Sequence, residues 1–161
     1  MNYPAACLAL LIAVMAQPSQ AATATGSLNL SITVAASCSV VSAPAINFGT
    51  VSAIIVNVDQ TTTLTVNCSA TTTYDIGMSV GGGSGATYAA RKMSNGGNAV
   101  IYSLYRDALR TQVWGETAGV DTLADTGTGA NQSFTVYARV PVQTVPPPGT
   151  YTDTVTITIT Y

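Results

Sequence analysis

Along most of the chain apolar and polar residues alternate one by one, a period of two rather than the 3.6 of a helix. Ser27 to Val34 places Leu28, Leu30, Ile32 and Val34 on one face and small polar residues on the other. Thr63 to Cys68 repeats the pattern with Leu64, Val66 and Cys68. Tyr74, Ile76, Met78 and Val80 do so again, and then Phe134, Val136, Ala138 and Val140. The last stretch is the most regular, with Val155, Ile157, Ile159 and Tyr161 opposed to Thr154, Thr156, Thr158 and Thr160. Successive side chains of a strand point to opposite faces, so this pattern predicts half-buried strands, and β-branched threonine suits their outer face. The segments are separated by turn chemistry: Gly81-Gly82-Gly83-Ser84-Gly85, Ser94-Asn95-Gly96-Gly97-Asn98, Thr126-Gly127-Thr128-Gly129 and Pro146-Pro147-Pro148-Gly149. No stretch carries an amphipathic helical repeat. The fold class is therefore all-β, with about seven short strands forming one antiparallel β-sandwich.

One segment breaks the alternation. Ala5 to Ala16 is continuously apolar; it is short against the ~20 residues of a membrane-spanning helix and matches the core of a signal peptide. Pro18 follows, and Ser19-Gln20-Ala21 offers small residues where a signal peptidase reads, so cleavage is expected after Ala21. Met1-Asn2-Tyr3 ahead of the run carries no Lys or Arg. A buried N-terminal helix fits less well, because no polar face accompanies the apolar residues. Removing 21 of 161 residues leaves 140 and takes Cys7 with it. Cys38 and Cys68 remain, an even pair that can close a disulfide in an oxidising compartment. Such a loop of about 30 residues is worth roughly 3–4 kcal/mol on the chain-entropy estimate.

Composition narrows the function. Charged residues make up 7% of the chain, against ~25% in ordinary soluble domains. The net charge is −2, and there is no histidine. One Lys and four Arg cannot build the basic face that nucleic acid requires. Histidine-dependent catalysis and His-ligated metals are excluded outright. Gly81 to Ala86 fits a loose dinucleotide-loop pattern, but that chemistry needs a helix N-terminus directly afterwards. Thr87 to Met93 runs into another Asn/Gly turn instead, so Gly81–Gly85 reads as a flexible hairpin loop. Asp125-Thr126-Gly127 matches the aspartic-protease tripeptide, yet no second copy supplies the partner carboxylate of the dyad. Asp121 and Asp125 alone fall short of a calcium ligand set, and the Asn29, Asn67 and Asn131 sequons are expected by chance in a Ser/Thr-rich chain. Arg106-Asp107 reads as a structural pair or solvated turn, and Tyr102, Tyr105 and Trp114 as packing aromatics. Neither an enzyme nor a cofactor is indicated, and no small-molecule substrate is evident.

If the sandwich is built from the segments after Cys38, the Ser27–Val34 strand is an extra one at the N-terminus, preceded by Ala22-Thr23-Ala24-Thr25-Gly26. A detachable strand with four aliphatic anchors can close its own sandwich or add to the open edge of another copy. In the second case the contact is head-to-tail and generates an open filament.

The motifs along this chain resemble those of the spore coat protein U domain proteins, which include subunits of Csu-type (archaic) chaperone–usher pili. They are Gly26-Ser27-Leu28-Asn29-Leu30-Ser31-Ile32, Cys38-Ser39-Val40, Ile46-Asn47-Phe48-Gly49 and Leu64-Thr65-Val66-Asn67-Cys68, then Arg91-Lys92-Met93 and Ile101-Tyr102-Ser103-Leu104-Tyr105-Arg106-Asp107. Val113-Trp114-Gly115, Phe134-Thr135-Val136-Tyr137 and Pro148-Gly149-Thr150-Tyr151-Thr152-Asp153-Thr154-Val155 complete them. Ala138 departs from the pattern, standing where a Gly is common. The resemblance implies an incomplete immunoglobulin-like fold that lacks its last strand. It divides the chain into a signal peptide at 1–21, a donor-strand extension at 22–36 and the sandwich at 37–161. It further implies like pilin subunits as partners in a head-to-tail polymer, a periplasmic chaperone that lends a strand, and an outer-membrane usher that exchanges it. The product would be a surface fimbrium serving adhesion and biofilm. On that reading Leu28, Leu30, Ile32 and Val34 fill a neighbour's pockets, and Val155, Ile157, Ile159 and Tyr161 line one edge of the acceptor groove. A secreted or spore-coat protein that folds the same strand onto its own sandwich is the alternative.

Overall fold

The computed structural model describes residues 19–161; positions 1–18 of the expected signal peptide lie outside the described residues. Taken by themselves, residues 19–33 carry no regular secondary structure. The strand expected over Ser27–Val34 is therefore not formed. Period-two alternation sets which face a strand would bury, but a strand exists only where an edge supplies hydrogen bonds to its backbone.

The remainder of the chain is built from eight strands: β1 (Cys38–Ser42), β2 (Val58–Cys68), β3 (Thr73–Met78), β4 (Arg91–Asn95), β5 (Asn98–Tyr105), β6 (Leu123–Thr126), β7 (Asn131–Val140) and β8 (Ile157–Thr160). No helix occurs among the described residues. A five-stranded sheet runs in the order β1-β2-β7-β5-β4 and a three-stranded sheet in the order β6-β3-β8, with every strand pair antiparallel. The centre of the larger sheet is the β2–β7 ladder, in unbroken register from Val58↔Val140 to Asn67↔Asn131. β4 and β5 form a hairpin closed by Gly96-Gly97, and Gly96 has a φ of 58°, the left-handed geometry that a two-residue hairpin turn requires.

The alternation is realised as expected. Leu64, Val66, Cys68, Tyr74, Ile76, Met78, Val136, Ala138 and Val140 are buried in one core with Val100, Tyr102, Leu104 and Trp114, while the intervening residues face outward. Trp114 is completely buried, and its indole N–H donates to the Ile76 carbonyl at 2.8 Å, as a buried indole must. Cys38 and Cys68 stand directly opposite each other in the β1–β2 register and are joined by a disulfide.

The C-terminal segment differs from its sequence expectation in its pairing. Only Ile157–Thr160 lies in a ladder, along β3. Upstream, Thr152 pairs with Ser94 of β4 through two backbone hydrogen bonds of 2.8 and 3.2 Å. The segment thus crosses from one sheet to the other within a few residues, and the crossing interrupts the ladder that the unbroken Thr/apolar alternation predicts.

Candidate functional site

β1 ends one flank of the five-stranded sheet and β8 ends one flank of the three-stranded sheet. The two edges are not bonded to each other. Between the segment that continues β1 and the segment that leads into β8 lies a hollow of about 460 Å³. Ile46 and Phe48 form one wall, Tyr151, Val155 and Ile157 the other, and Leu64, Met78, Tyr102, Leu104 and Val136 the floor. The floor residues are all core residues, so the hollow opens directly onto the hydrophobic core. At the far end β1 and β8 draw together, with some Cα pairs within 8 Å. In a complete sandwich a strand would occupy this gap, bonded to both edges and burying alternate side chains in the floor.

One wall is fixed by a polar knot that the sequence did not reveal. Asp153 accepts a hydrogen bond from the Tyr102 hydroxyl at 2.7 Å and another from the Gly82 N–H at 2.7 Å. Burial first, and then the hydrogen bond to the Asp153 carboxylate, raise the Tyr102 phenol well above its ordinary range, so it stays a protonated donor. Gly81 has a φ of 82°, and a Cβ there would lie 2.0 Å from the Asp153 carboxylate; only glycine admits this approach. Lys92 Nζ donates to the Ser84 carbonyl at 2.9 Å. The Gly81–Gly85 loop, read from composition as flexible, is therefore pinned at both ends. Glycine there serves close packing, and the signal in the sequence is the same in both cases.

Behind this wall Arg91 is completely buried. Its guanidinium donates to four backbone carbonyls, those of Ser79, Tyr88, Met78 and Trp114, at 2.6–2.9 Å. Burial holds its pKa below the ordinary guanidinium value. No carboxylate is hydrogen-bonded to it; four carbonyl dipoles do that work instead. Arg91 thereby ties β3, the loop after it and the Trp114 segment into one support.

The residues singled out by sequence are placed as follows. Val155 and Ile157 line the hollow, and Ile159 packs against the core beside it. Tyr161 lies apart from the hollow, exposed, on a second, shallower depression with Tyr74, Asp75 and Asp125. Leu28, Leu30, Ile32 and Val34 are between 83% and 89% exposed, four aliphatic side chains in a row with no apolar cover. Asp125 accepts from its own Thr126 N–H and from Gln132, and Asp121 from the Thr117 N–H, so each is absorbed in its own turn. Among the described residues no three His, Cys, Asp or Glu side chains gather. Asp107 closes a turn by accepting from the Thr111 N–H and hydroxyl and the Gln112 N–H. Those bonds, the Gln112 one foremost, hold its carboxyl below the usual range. Arg106 donates instead to the Thr122 and Val120 carbonyls.

Residues 24–158 match the family described as Spore Coat Protein U domain. The chain is 37% identical over 159 residues to Protein U of Myxococcus xanthus, a match covering 89% of this chain and 88% of that one. Its fold is similar to a chain in the crystal structure of the CsuC–CsuE chaperone–tip adhesion subunit pre-assembly complex from the archaic chaperone–usher Csu pili of Acinetobacter baumannii. The TM-score is 0.59 at 24% identity, over 80% of this chain and 40% of that chain. The match thus spans 40% of the length of its structural neighbour, and at that identity the likeness is one of fold.

Proposed function

The chain belongs to the Spore Coat Protein U domain family, and on that premise we propose that it is the structural subunit of a surface fibre, polymerised by donor-strand exchange along a chaperone–usher route. The observation that carries this reading is the coexistence of two unfinished parts in one chain. A sandwich with an apolar hollow between the segment after β1 and the segment leading into β8 stands in the same sequence as a strand-patterned segment whose four aliphatic residues are bare. Burying those four in a neighbour's gap contributes roughly 6–12 kcal/mol gross at ~1.5–3 kcal/mol each, before ordering costs. Backbone bonds to two sheet edges add to that. Because donor and acceptor are different faces of the same chain, the contact repeats head-to-tail without closing.

An open apolar groove is an aggregation hazard before assembly. A periplasmic chaperone that fills it temporarily and an outer-membrane usher that replaces it with the next copy's extension meet that need. The leader-like N-terminus and the Cys38–Cys68 disulfide suit export through an oxidising compartment to the cell surface, where the fibre would serve adhesion. On this reading the protein is structural and not an enzyme. The family's name favours one second reading, a spore-coat protein in which the same extension closes its own sandwich.

The test is an SDS gel of protein recovered from the cell surface, unheated beside boiled. An inserted strand leaves only when a sandwich opens, so strand-exchanged junctions dissociate slowly and survive detergent. A ladder that collapses on boiling is the expected result. A single monomer band in both lanes, from protein that is stable when purified alone, would replace fibre assembly by self-complementation.

A further inference from the structure

The oxidisable sulfur of the domain is gathered at the hollow. Of the four methionines in the chain, Met1 and Met15 lie in the expected leader, and the other two are Met78 and Met93. Both line the hollow. Met78 is buried at the end of β3, whereas Met93, on β4, packs against the core with part of its surface still open. Cys38 and Cys68 are already joined, Trp114 is completely buried, and there is no histidine. The two thioethers are therefore the groups on which a two-electron oxidant acts in the folded domain, and the hollow is its way in.

The hollow accepts a thioether and not its oxide. A sulfoxide is polar, and its oxygen needs a hydrogen-bond donor once water is expelled. Three hydroxyls at the hollow already donate elsewhere: Thr62 to the Pro44 carbonyl at 3.1 Å, Tyr102 to Asp153 at 2.7 Å and Tyr151 to the Pro147 carbonyl at 2.8 Å. Thr152 and Thr154 are exposed. The Asp153 carboxylate in the same wall accepts bonds and offers none. Leu28, Leu30, Ile32 and Val34 of an incoming strand bring no side-chain donor either.

Resting on the strand-exchange reading above, we propose that Met93 and Met78 are a modification site at which a peroxide shuts the groove of an unassembled copy. A sulfur lone pair attacks one oxygen of hydrogen peroxide, and an S–O bond forms as the O–O bond breaks. The sulfur loses two electrons, the peroxide is reduced, and the proton on the transferred oxygen passes to the departing hydroxide, which leaves as water. Met93 reacts first because part of its surface is open. An inserted strand covers both sulfurs, so the mark falls on copies still waiting for a donor and spares those already in a fibre.

The experiment uses the full mature chain, unfolded in urea with its disulfide intact, refolded by dilution and kept too dilute to polymerise. Trp114 emission confirms the fold in every sample. Hydrogen peroxide is added and then removed with catalase, and the chain is concentrated and run on SDS gels, unheated beside boiled. Trypsin applied to the denatured product separates the two sites, Met93 in the peptide Met93–Arg106 and Met78 in the N-terminal peptide ending at Arg91. One added oxygen should appear on Met93 first, and the treated chain should run as a monomer where the untreated chain gives a ladder. Met78→Leu with Met93→Leu, close in volume and inert to peroxide, should give the same ladder with or without treatment. Met93→Gln, polar without any oxidant, should lose the ladder and keep its Trp114 emission. In fibres taken from cells, the same dose should leave Met93 unoxidised. A full ladder from chains carrying Met93 sulfoxide, or equal oxidation of Met93 in fibres and in the dilute chain, would overturn the inference. Absence of any unheated ladder from the untreated, unsubstituted protein, on cells as well as in the tube, would instead overturn strand exchange itself.

Discussion

Replacing Arg91 by methionine removes the cation while keeping most of the apolar stem. Two of the four acceptors it serves, the Met78 and Trp114 carbonyls, are fully buried at their bonds; the other two, on Ser79 and Tyr88, are partly so. A buried carbonyl left without a donor costs about 1–3 kcal/mol. The two buried ones alone give ~2–6 kcal/mol, and relief from desolvating the guanidinium offsets part of it. A net loss of about 2–4 kcal/mol is expected, a large fraction of the ~5–15 kcal/mol that holds a typical domain folded. The chain contains a single tryptophan, Trp114, which is buried and whose carbonyl is one of the acceptors, so its emission reports unfolding from inside the affected site. With a urea slope near 2 kcal/mol per M, the midpoint should fall by about 1–2 M. Arg91→Lys should recover only part of the loss, because a compact ammonium with three protons cannot serve four carbonyls spread over three segments. An unchanged or raised midpoint in Arg91→Met would refute the reasoning: it would mean that the cost of burying the charge cancels its bonds.

Three further outcomes are expected. Cys38→Ala with Cys68→Ala should lower stability by roughly 3–4 kcal/mol, read as a fall in the same urea midpoint and reproduced in the unsubstituted protein by reduction. Asp153→Ala strands the buried Tyr102 hydroxyl and frees Gly82; a loss of about 1–3 kcal/mol should be accompanied by faster amide exchange through the Gly81–Gly85 loop and unchanged exchange in the β2–β7 ladder. Asp59 accepts a two-point bond from Arg139 and lies 3.4 Å from Arg110, and the Arg139 bond foremost holds its carboxyl below the ordinary value. Its contribution is therefore present above the unfolded carboxylate's pKa and lost as pH falls through the depressed one. Urea midpoints should drop as pH falls through the ordinary carboxylate range and below it, and Asp59→Asn should flatten that drop.

Much of the architecture was legible in the sequence because its signal is local. The period-two alternation of Leu64, Val66 and Cys68, and of Phe134 through Val140, assigns inner and outer faces before any partner is known. The Gly96-Gly97 turn specifies its own hairpin. The cysteine pair followed from the even count that the expected loss of Cys7 leaves, and the absent histidine set aside histidine-dependent chemistry by composition alone. The alternation of Leu28, Leu30, Ile32 and Val34 was equally plain, and the structure leaves all four exposed.

Tertiary structure decided what local pattern cannot encode. Whether Ser27–Val34 is a strand depends on an edge to pair with, and no pattern inside the segment states where that edge is. The hollow lies between the segment that continues β1 and the segment that leads into β8, two stretches from opposite ends of the chain that no hydrogen-bond ladder joins, which is a property of sheet order. Arg91 looks in the sequence like any surface arginine; it is buried where carbonyls of β3, of the loop after it and of Trp114 converge on it. Asp153 and Gly81 are 72 residues apart, and besides the left-handed backbone there the fold brings the carboxylate within 2.0 Å of where a Cβ would stand. Alternation is a nearest-neighbour signal, whereas a groove and its supports are made from separations along the chain that only folding closes.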